Sequence, residues 1–134
     1  MRKAGLTIAI SGSPLESLLP LKQRLSFDEL RTTTLEASEG VYTGGVTLNL
    51  AVDTAKRKVV EEYLTDIDRA RSFAFGDSIH DLPILEAVGN PVVLGNNSAL
   101  QAIGRERCWI VADNEREVLE QVRGRLKLVF GGKL

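Results

Sequence analysis

Residues 73–85 read FAFGDSIHDLPIL: an apolar run, a glycine, then two carboxylates, Asp77 and Asp81, four positions apart. In open parallel sheets the chemistry gathers outside the carboxyl ends of the strands. A carboxylate at such a tip, after a glycine that lets backbone come close, suits a hard cation such as Mg2+. The same letters also suit a plain turn in which both acids cap the following helix. His80, the one histidine of the chain, sits inside the stretch. It is a candidate general acid or metal ligand, and a solvent-facing turn residue is the plainer reading.

Outward from this stretch, strands and helices alternate. LTIAI (6–10) reads as a buried strand, and SPLE opens a helix to about Leu25, with Ser13 as cap, Pro14 at the first helical position and Glu16 completing a capping box. ELRTTTLEA reads as a strand broken by Gly40, and VYTGGVTLNL as strand, glycine turn, strand. Asp53 or Thr54 starts a helix whose Val59, Val60, Tyr63 and Leu64 share an apolar face. Strand 72–75 ends at Gly76, and LPILEAVG is a short helix closed by Gly89. PVVL (91–94) and CWIV are strands flanking the helix SALQAIGRE. Asp113 caps a last helix with Val118, Leu119, Val122 and Leu126 inward, before a frayed tail at about 130–134.

Several strands are apolar on both faces, the mark of a parallel sheet covered on both sides. The expected fold is α/β, a Rossmann-like three-layer sandwich with a mostly parallel sheet plus a small β-hairpin, in a single domain spanning 1–134.

Composition narrows the function classes. With 134 residues, 43% hydrophobic and 26% charged, the chain can bury its own core. A net charge of -1 with both signs interspersed, and few aromatics, give no support to nucleic-acid binding. No apolar run approaches the roughly 20 residues that cross a membrane, and the start MRKAGLTIAISG is too short and mixed for a secretory signal, so a cytoplasmic setting is expected. Cys108 is the single cysteine, which excludes an internal disulfide, and it reads as a packed thiol.

Two further candidates follow from position. Ser11 ends the first strand two residues before the helix cap, where a hydroxyl and backbone N–H groups can bind an anion. Lys56 lies in the first turn of its helix, at the positive end of the dipole, a placement that makes sense if it reaches an anion. Lys58 competes for that role, and a solvated lysine is the bland alternative.

In this order, IAISGSP, TAKRKVVEEYL and FAFGDSIHDLPIL resemble the second, third and fourth motifs of the haloacid dehalogenase (HAD) superfamily of phosphohydrolases. With EASEGVYTGG between the second and third, they look closest to its phosphoserine-phosphatase-like branch, over about residues 4–112. The resemblance implies a Mg2+-dependent phosphomonoesterase acting on a phosphorylated small molecule. It implies that Ser11 and the N–H of Gly12 bind phosphoryl oxygens, that Lys56 neutralises phosphate and nucleophile, and that Asp77 ligates Mg2+ with Asp81 supporting the metal shell. Members often carry Asn where His80 stands.

One departure is large. The family's first motif, Asp-x-Asp on a strand, supplies the nucleophile and the general acid, and no strand-like segment here carries it; LTDIDRARS has the letters at 66–68 but follows a helix. The chain therefore reads as the C-terminal part of such an enzyme, without the first motif and cap. It is expected to be nearly inactive alone, with Mg2+ binding weak or absent. The alternative is a non-catalytic truncated scaffold that binds phosphate or Mg2+, or that serves as an interaction module. A receiver-like or nucleotide-binding domain is weaker still, because no GxxxxGK loop occurs. The missing strand would lie between the second-motif and fourth-motif strands. Those strands must therefore close on each other or leave bare edges, which predicts a homo-oligomer or association with an N-terminal half.

Overall fold

A computed structural model describes residues 5–131. The chain divides into two compact units, Met1–Val59 and Val60–Leu134. The frayed tail expected at about 130–134 falls mainly on residues 132–134, which lie outside the described residues.

The first unit holds β1 (Ile8–Pro14), α1 (Leu15–Leu25), β2 (Glu29–Ser38), β3 (Val41–Leu48) and the start of α2 (Asp53–Tyr63). Its sheet has the order β1-β2-β3, with β1 parallel and β3 antiparallel to β2. Pairing with β2 carries β1 beyond the five residues expected, as far as Pro14 opposite Thr33. That corrects the cap reading. Pro14, extended at φ −65° and ψ 151°, is the N-cap rather than the first helical residue, and no side chain caps α1. The Glu16 carboxylate instead accepts a hydrogen bond from the Tyr42 phenol, which raises the pKa of Tyr42 above its ordinary 10.0.

The hairpin turn is also not where the paired glycines suggested. Glu39 and Gly40, at φ 51° and 80°, form the two-residue connection between Ser38 and Val41, the mirror-image turn that matches strand twist. Gly44 and Gly45 lie within β3, where the register shifts against β2 and Glu36 Oε2 comes within 2.9 Å of a Cβ built on Gly45. They make a bulge in one strand, not a turn between two.

The second unit contains β4 (Phe73–Gly76), α3 (Leu82–Leu85), β5 (Asn90–Val93), α4 (Ser98–Glu106), β6 (Ile110–Val111) and α5 (Glu115–Phe130). The three strands run parallel in the order β4-β5-β6. Ala74, Leu85, Val93 and Leu100 form its core, with Leu82, Ile84, Val88, Trp109 and Val111 packed around them. All four residues of β5 are buried, as befits a central strand, and the polar Asn90 among them is hydrogen-bonded through its side chain.

Pro91 interrupts the ladder on one side only. Asn90 and Leu94 both donate toward β4, to Ser72 O and Gly76 O. Alternation then turns position 91 toward β6, where proline has no N–H to give, and β6 pairs with Val92 and Val93 alone. Of the CWIV strand, only Ile110 and Val111 are therefore extended. Cys108 sits at φ 59° in the turn after α4 and is exposed, so the packed-thiol reading is overturned.

Three smaller expectations are corrected as well. α3 ends at Leu85, where its last turn tightens to Ala87 N–Ile84 O, and Gly89 serves Arg69 O rather than closing a helix. The cap of α5 is Asn114, whose side chain accepts from Glu117 N. Leu119 is 51% exposed, and the inward row is Val118, Val122 and Leu126.

Candidate functional site

In the first unit the strand β1 breaks its ladder at the residues singled out. Ile10 pairs with Arg31 and Pro14 with Thr33, so Ser11, Gly12 and Ser13 stand opposite Thr32 alone. Such bulges leave backbone groups outside the ladder and re-aim side chains, and they occur beside active sites. Ser13 N–H donates to Ser11 Oγ at 3.1 Å. That bond uses a lone pair of the hydroxyl and leaves its proton to donate elsewhere. Ser13 thus orients Ser11 instead of capping α1.

The bulge is pinned from behind. Thr33, 6% exposed, donates its hydroxyl to Gly12 O at 2.7 Å and accepts from Leu50 N at 3.0 Å. Gly12 has no room for a side chain: a Cβ there would lie 2.9 Å from Ala51 Cα and 3.2 Å from Ala51 N. Glycine is required because the connection from β3 to α2 runs directly against it. That connection turns on Asn49, whose Oδ1 accepts from Ala51 N, and then opens α2. Lys56 is the fourth residue of α2 and is 7% exposed, whereas Lys58 is exposed. A lysine is almost never that buried unless it is paired, which favours Lys56 over Lys58 as the chemically used residue.

In the second unit, Asp77 and Asp81 have separate jobs. Asp81 Oδ2 accepts from Asp77 N at 3.1 Å and from Ser78 N at 3.2 Å. Ser78 Oγ in turn accepts from His80 N at 3.3 Å, completing a capping box around a 3-10 turn at Ile79–Asp81. The capping alternative is thus realised for Asp81 and not for Asp77, whose carboxylate is exposed at the tip of β4. Gly76 cannot carry a side chain, because its Cβ would lie 2.7 Å from Asp81 Cβ. His80 is exposed on the turn, as the plainer reading expects.

A neighbour of Asp77 went unnoticed in the sequence. Gly95, at φ 71°, follows β5, and a Cβ there would lie 3.6 Å from Asp77 Cβ. Gln101 Nε2 donates to Gly95 O at 2.8 Å, and Asn97 caps α4. The letters GNN after an apolar strand were a readable signal, since they fall at the same strand edge as Asp77. Thr33 gave none, because a hydroxyl in a TTT strand looks like ordinary β-propensity.

Oxygen donors of this kind suit Mg2+, which takes one or two protein carboxylates and keeps several waters. Asp77 fits that requirement as one ligand, whereas Asp81 Oδ2 is engaged by two backbone N–H groups. No group of three acidic, histidine or cysteine side chains that could hold a metal ion occurs among the described residues. No helix among the described residues is long and apolar enough to cross a membrane.

Known proteins resemble this chain in sequence and in fold. The family model for haloacid dehalogenase-like hydrolases matches residues 1–86. Phosphoserine phosphatase SerB1 of Mycobacterium tuberculosis is 27% identical over 106 residues, covering 78% of this chain and 34% of its own length. The inhibition of morphological differentiation protein of Streptomyces azureus is 29% identical over 114 residues, covering 83% of this chain and 41% of its own. A probable phosphoserine phosphatase from Vibrio cholerae superposes with a TM-score of 0.72 at 20% identity, over 92% of this chain and 38% of that one. Phosphoserine phosphatase in its apo form gives 0.68 at 21% identity, over 86% and 57%. The chain thus spans about a third to two fifths of the length of these curated relatives.

Proposed function

The chain belongs to the haloacid dehalogenase-like hydrolase family, and we propose that its residues are part of a Mg2+-dependent phosphomonoesterase acting on a phosphorylated small molecule in the cytoplasm. Residues 1–134 are read as one domain in this proposal; Ser11, Gly12 and Lys56 belong to the first unit and Asp77 to the second. The observation that carries this reading is the bulge at Ser11–Ser13, with its hydroxyl oriented by Ser13 N–H and its backbone pinned by Thr33.

In this reading the Ser11 hydroxyl and Gly12 N–H bind phosphoryl oxygens. The Lys56 ammonium balances phosphate charge from a buried position, where its field is little screened. Asp77, with Asp81 holding the tip in shape, would ligate Mg2+, which neutralises charge on the phosphoryl group when bound. Among the described residues no strand carries an Asp-x-Asp pair. Asp66 and Asp68 lie in the turn after α2 and before a 3-10 turn at Arg69–Arg71. A nucleophile from another segment is therefore required. In this reading residues 1–134 alone should hydrolyse phosphomonoesters more slowly than a complete site by a factor on the order of 10⁶.

Among the described residues, β1 and β4 each end a sheet with one side unpaired. Parallel edges of this kind accept a further strand, which supports a homo-oligomer or association with the segment that carries the nucleophile. The same lack of an Asp-x-Asp strand favours, as the second reading, a non-catalytic module that binds phosphate or Mg2+ or another protein.

Calorimetric titration with inorganic phosphate, with and without Mg2+, tests the first reading. Phosphate binds the 134-residue chain, Ser11→Ala and Lys56→Met weaken it, and Asp77→Asn abolishes the Mg2+ effect. Absence of phosphate binding refutes the anion site. Robust hydrolysis of p-nitrophenyl phosphate by the chain alone, lost in Asp77→Asn, refutes the need for an outside nucleophile.

A further inference from the structure

We infer that Thr33, which lies on β2 away from all the motifs, is a positioning residue for phosphate binding. Its hydroxyl ties the β1 bulge bearing Ser11 and Gly12 to the connection that launches the Lys56 helix. The inference rests on the reading of Ser11, Gly12 and Lys56 as an anion site and adds a residue that the reading does not contain.

The geometry is specific to one hydroxyl. Thr33 Oγ1 donates to Gly12 O, 21 residues earlier, and accepts from Leu50 N, 17 residues later. Gly12 O belongs to the middle residue of the bulge, so the bond sets the plane of the Gly12–Ser13 peptide and the direction of the bulge. Leu50 is fully buried, and its N–H has no recourse to water if the hydroxyl is lost. The two segments meet again at Gly12 and Ala51, where contact is too close for any side chain on Gly12.

From Ala51 the chain needs one residue to reach Asp53, where α2 begins, and Lys56 N bonds Val52 O within the first turn. The bulge and the helix start are thus registered through a single β-branched side chain. Its stiff χ1 holds the hydroxyl in place more firmly than serine can. Thr32, equally buried and adjacent, points to the other face of β2 and provides a matched control.

Anion sites act through preorganisation, and a displacement of about 1 Å in such a site costs on the order of 10²-fold. Thr33→Val keeps the shape and removes both bonds. Affinity for inorganic phosphate should fall by about 10- to 100-fold, whereas Thr33→Ser recovers affinity to within about threefold and Thr32→Val leaves it unchanged. A merely structural role would not separate Thr33→Val from a Thr32→Val variant of matched thermal stability.

A second measurement needs no variant. In NMR titration of the wild-type chain with phosphate, the Leu50 amide shifts with the same dissociation constant as the Gly12 and Lys56 amides. Normal phosphate affinity in folded Thr33→Val, or a Leu50 amide that does not respond, overturns the inference while the phosphate site stands. If the wild-type chain binds no phosphate, the underlying reading fails and this inference with it.

Discussion

Replacing Gly76 with alanine tests how the tip of β4 is built. The new methyl would stand 2.7 Å from Asp81 Cβ, where ordinary contact begins at 3.4 Å, so Asp81 must retreat by about 0.7 Å. Asp81 Cβ is fixed to the main chain, so the retreat moves the 3-10 turn and not merely a side-chain end. Asp81 Oδ2 now lies 3.1 and 3.2 Å from Asp77 N and Ser78 N. The same displacement along those bonds carries both beyond hydrogen-bonding range. Overpacking of this kind costs about 1–3 kcal/mol, and a lost capping carboxylate about 1 kcal/mol. The stability of the Val60–Leu134 unit should therefore fall by about 2–4 kcal/mol. Urea unfolding followed by the fluorescence of Trp109, the one tryptophan, measures it. Background variants separate the two contributions. Asp81→Ala removes the cap but keeps the offending Cβ, so Gly76→Ala still costs about 1–3 kcal/mol there. Asp81→Gly removes both, and the cost drops below about 1 kcal/mol. A single-variant cost under about 0.5 kcal/mol, or equal costs in both backgrounds, would refute the reasoning.

Lys56→Met should weaken phosphate binding by about tenfold or more while Lys58→Met leaves it within about twofold, since only Lys56 is buried; equal effects in calorimetry would count against Lys56. Asn90 is 3% exposed, donates to Ala70 O and Ser72 O, and accepts from Arg125. Asn90→Leu strands those partners and should cost about 2–4 kcal/mol in urea melts. The Tyr42 phenol, hydrogen-bonded to Glu16, titrates above its ordinary 10.0. Its contribution to stability is complete below pH 10.0 and is lost as pH rises through the raised value. Absorbance titration at alkaline pH in a Tyr63→Phe background should show the midpoint dropping when Glu16 becomes Gln, and an unmoved midpoint would remove Glu16 as the cause.

Periodicity and glycine punctuation located the five α-helices and the strands β1, β2, β4 and β5, because those signals are local, but split β3 in two and missed the 3-10 turns at Arg69–Arg71 and Ile79–Asp81. The errors trace to bonds made across the chain. Ser13 and Pro14 look like a helix start until parallel pairing with β2 extends β1 over them. The paired glycines 44 and 45 look like a turn, yet Glu39 and Gly40 reverse the chain first. Cys108 was judged by the usual burial of thiols, while a left-handed backbone after α4 turns it outward. Among the site candidates, Asp77 follows the end of its strand as expected, whereas Ser11 lies in a bulge inside β1, which runs on to Pro14, and Asp81 lies in the 3-10 turn beyond β4. The choice between Lys56 and Lys58 needed burial, and Thr33 needed partners 21 and 17 residues away.

The two-rung attachment of β6, limited by Pro91, has a bearing on which part of the second unit lets go first. A strand held by so few ladder bonds opens at little free-energy cost and takes the α4–β6 corner with it. In native-state deuterium exchange, the amides of residues 104–111 should lose protection well before Val92 and Leu94 on the β4 side, by an opening that leaves the Asp81 turn closed.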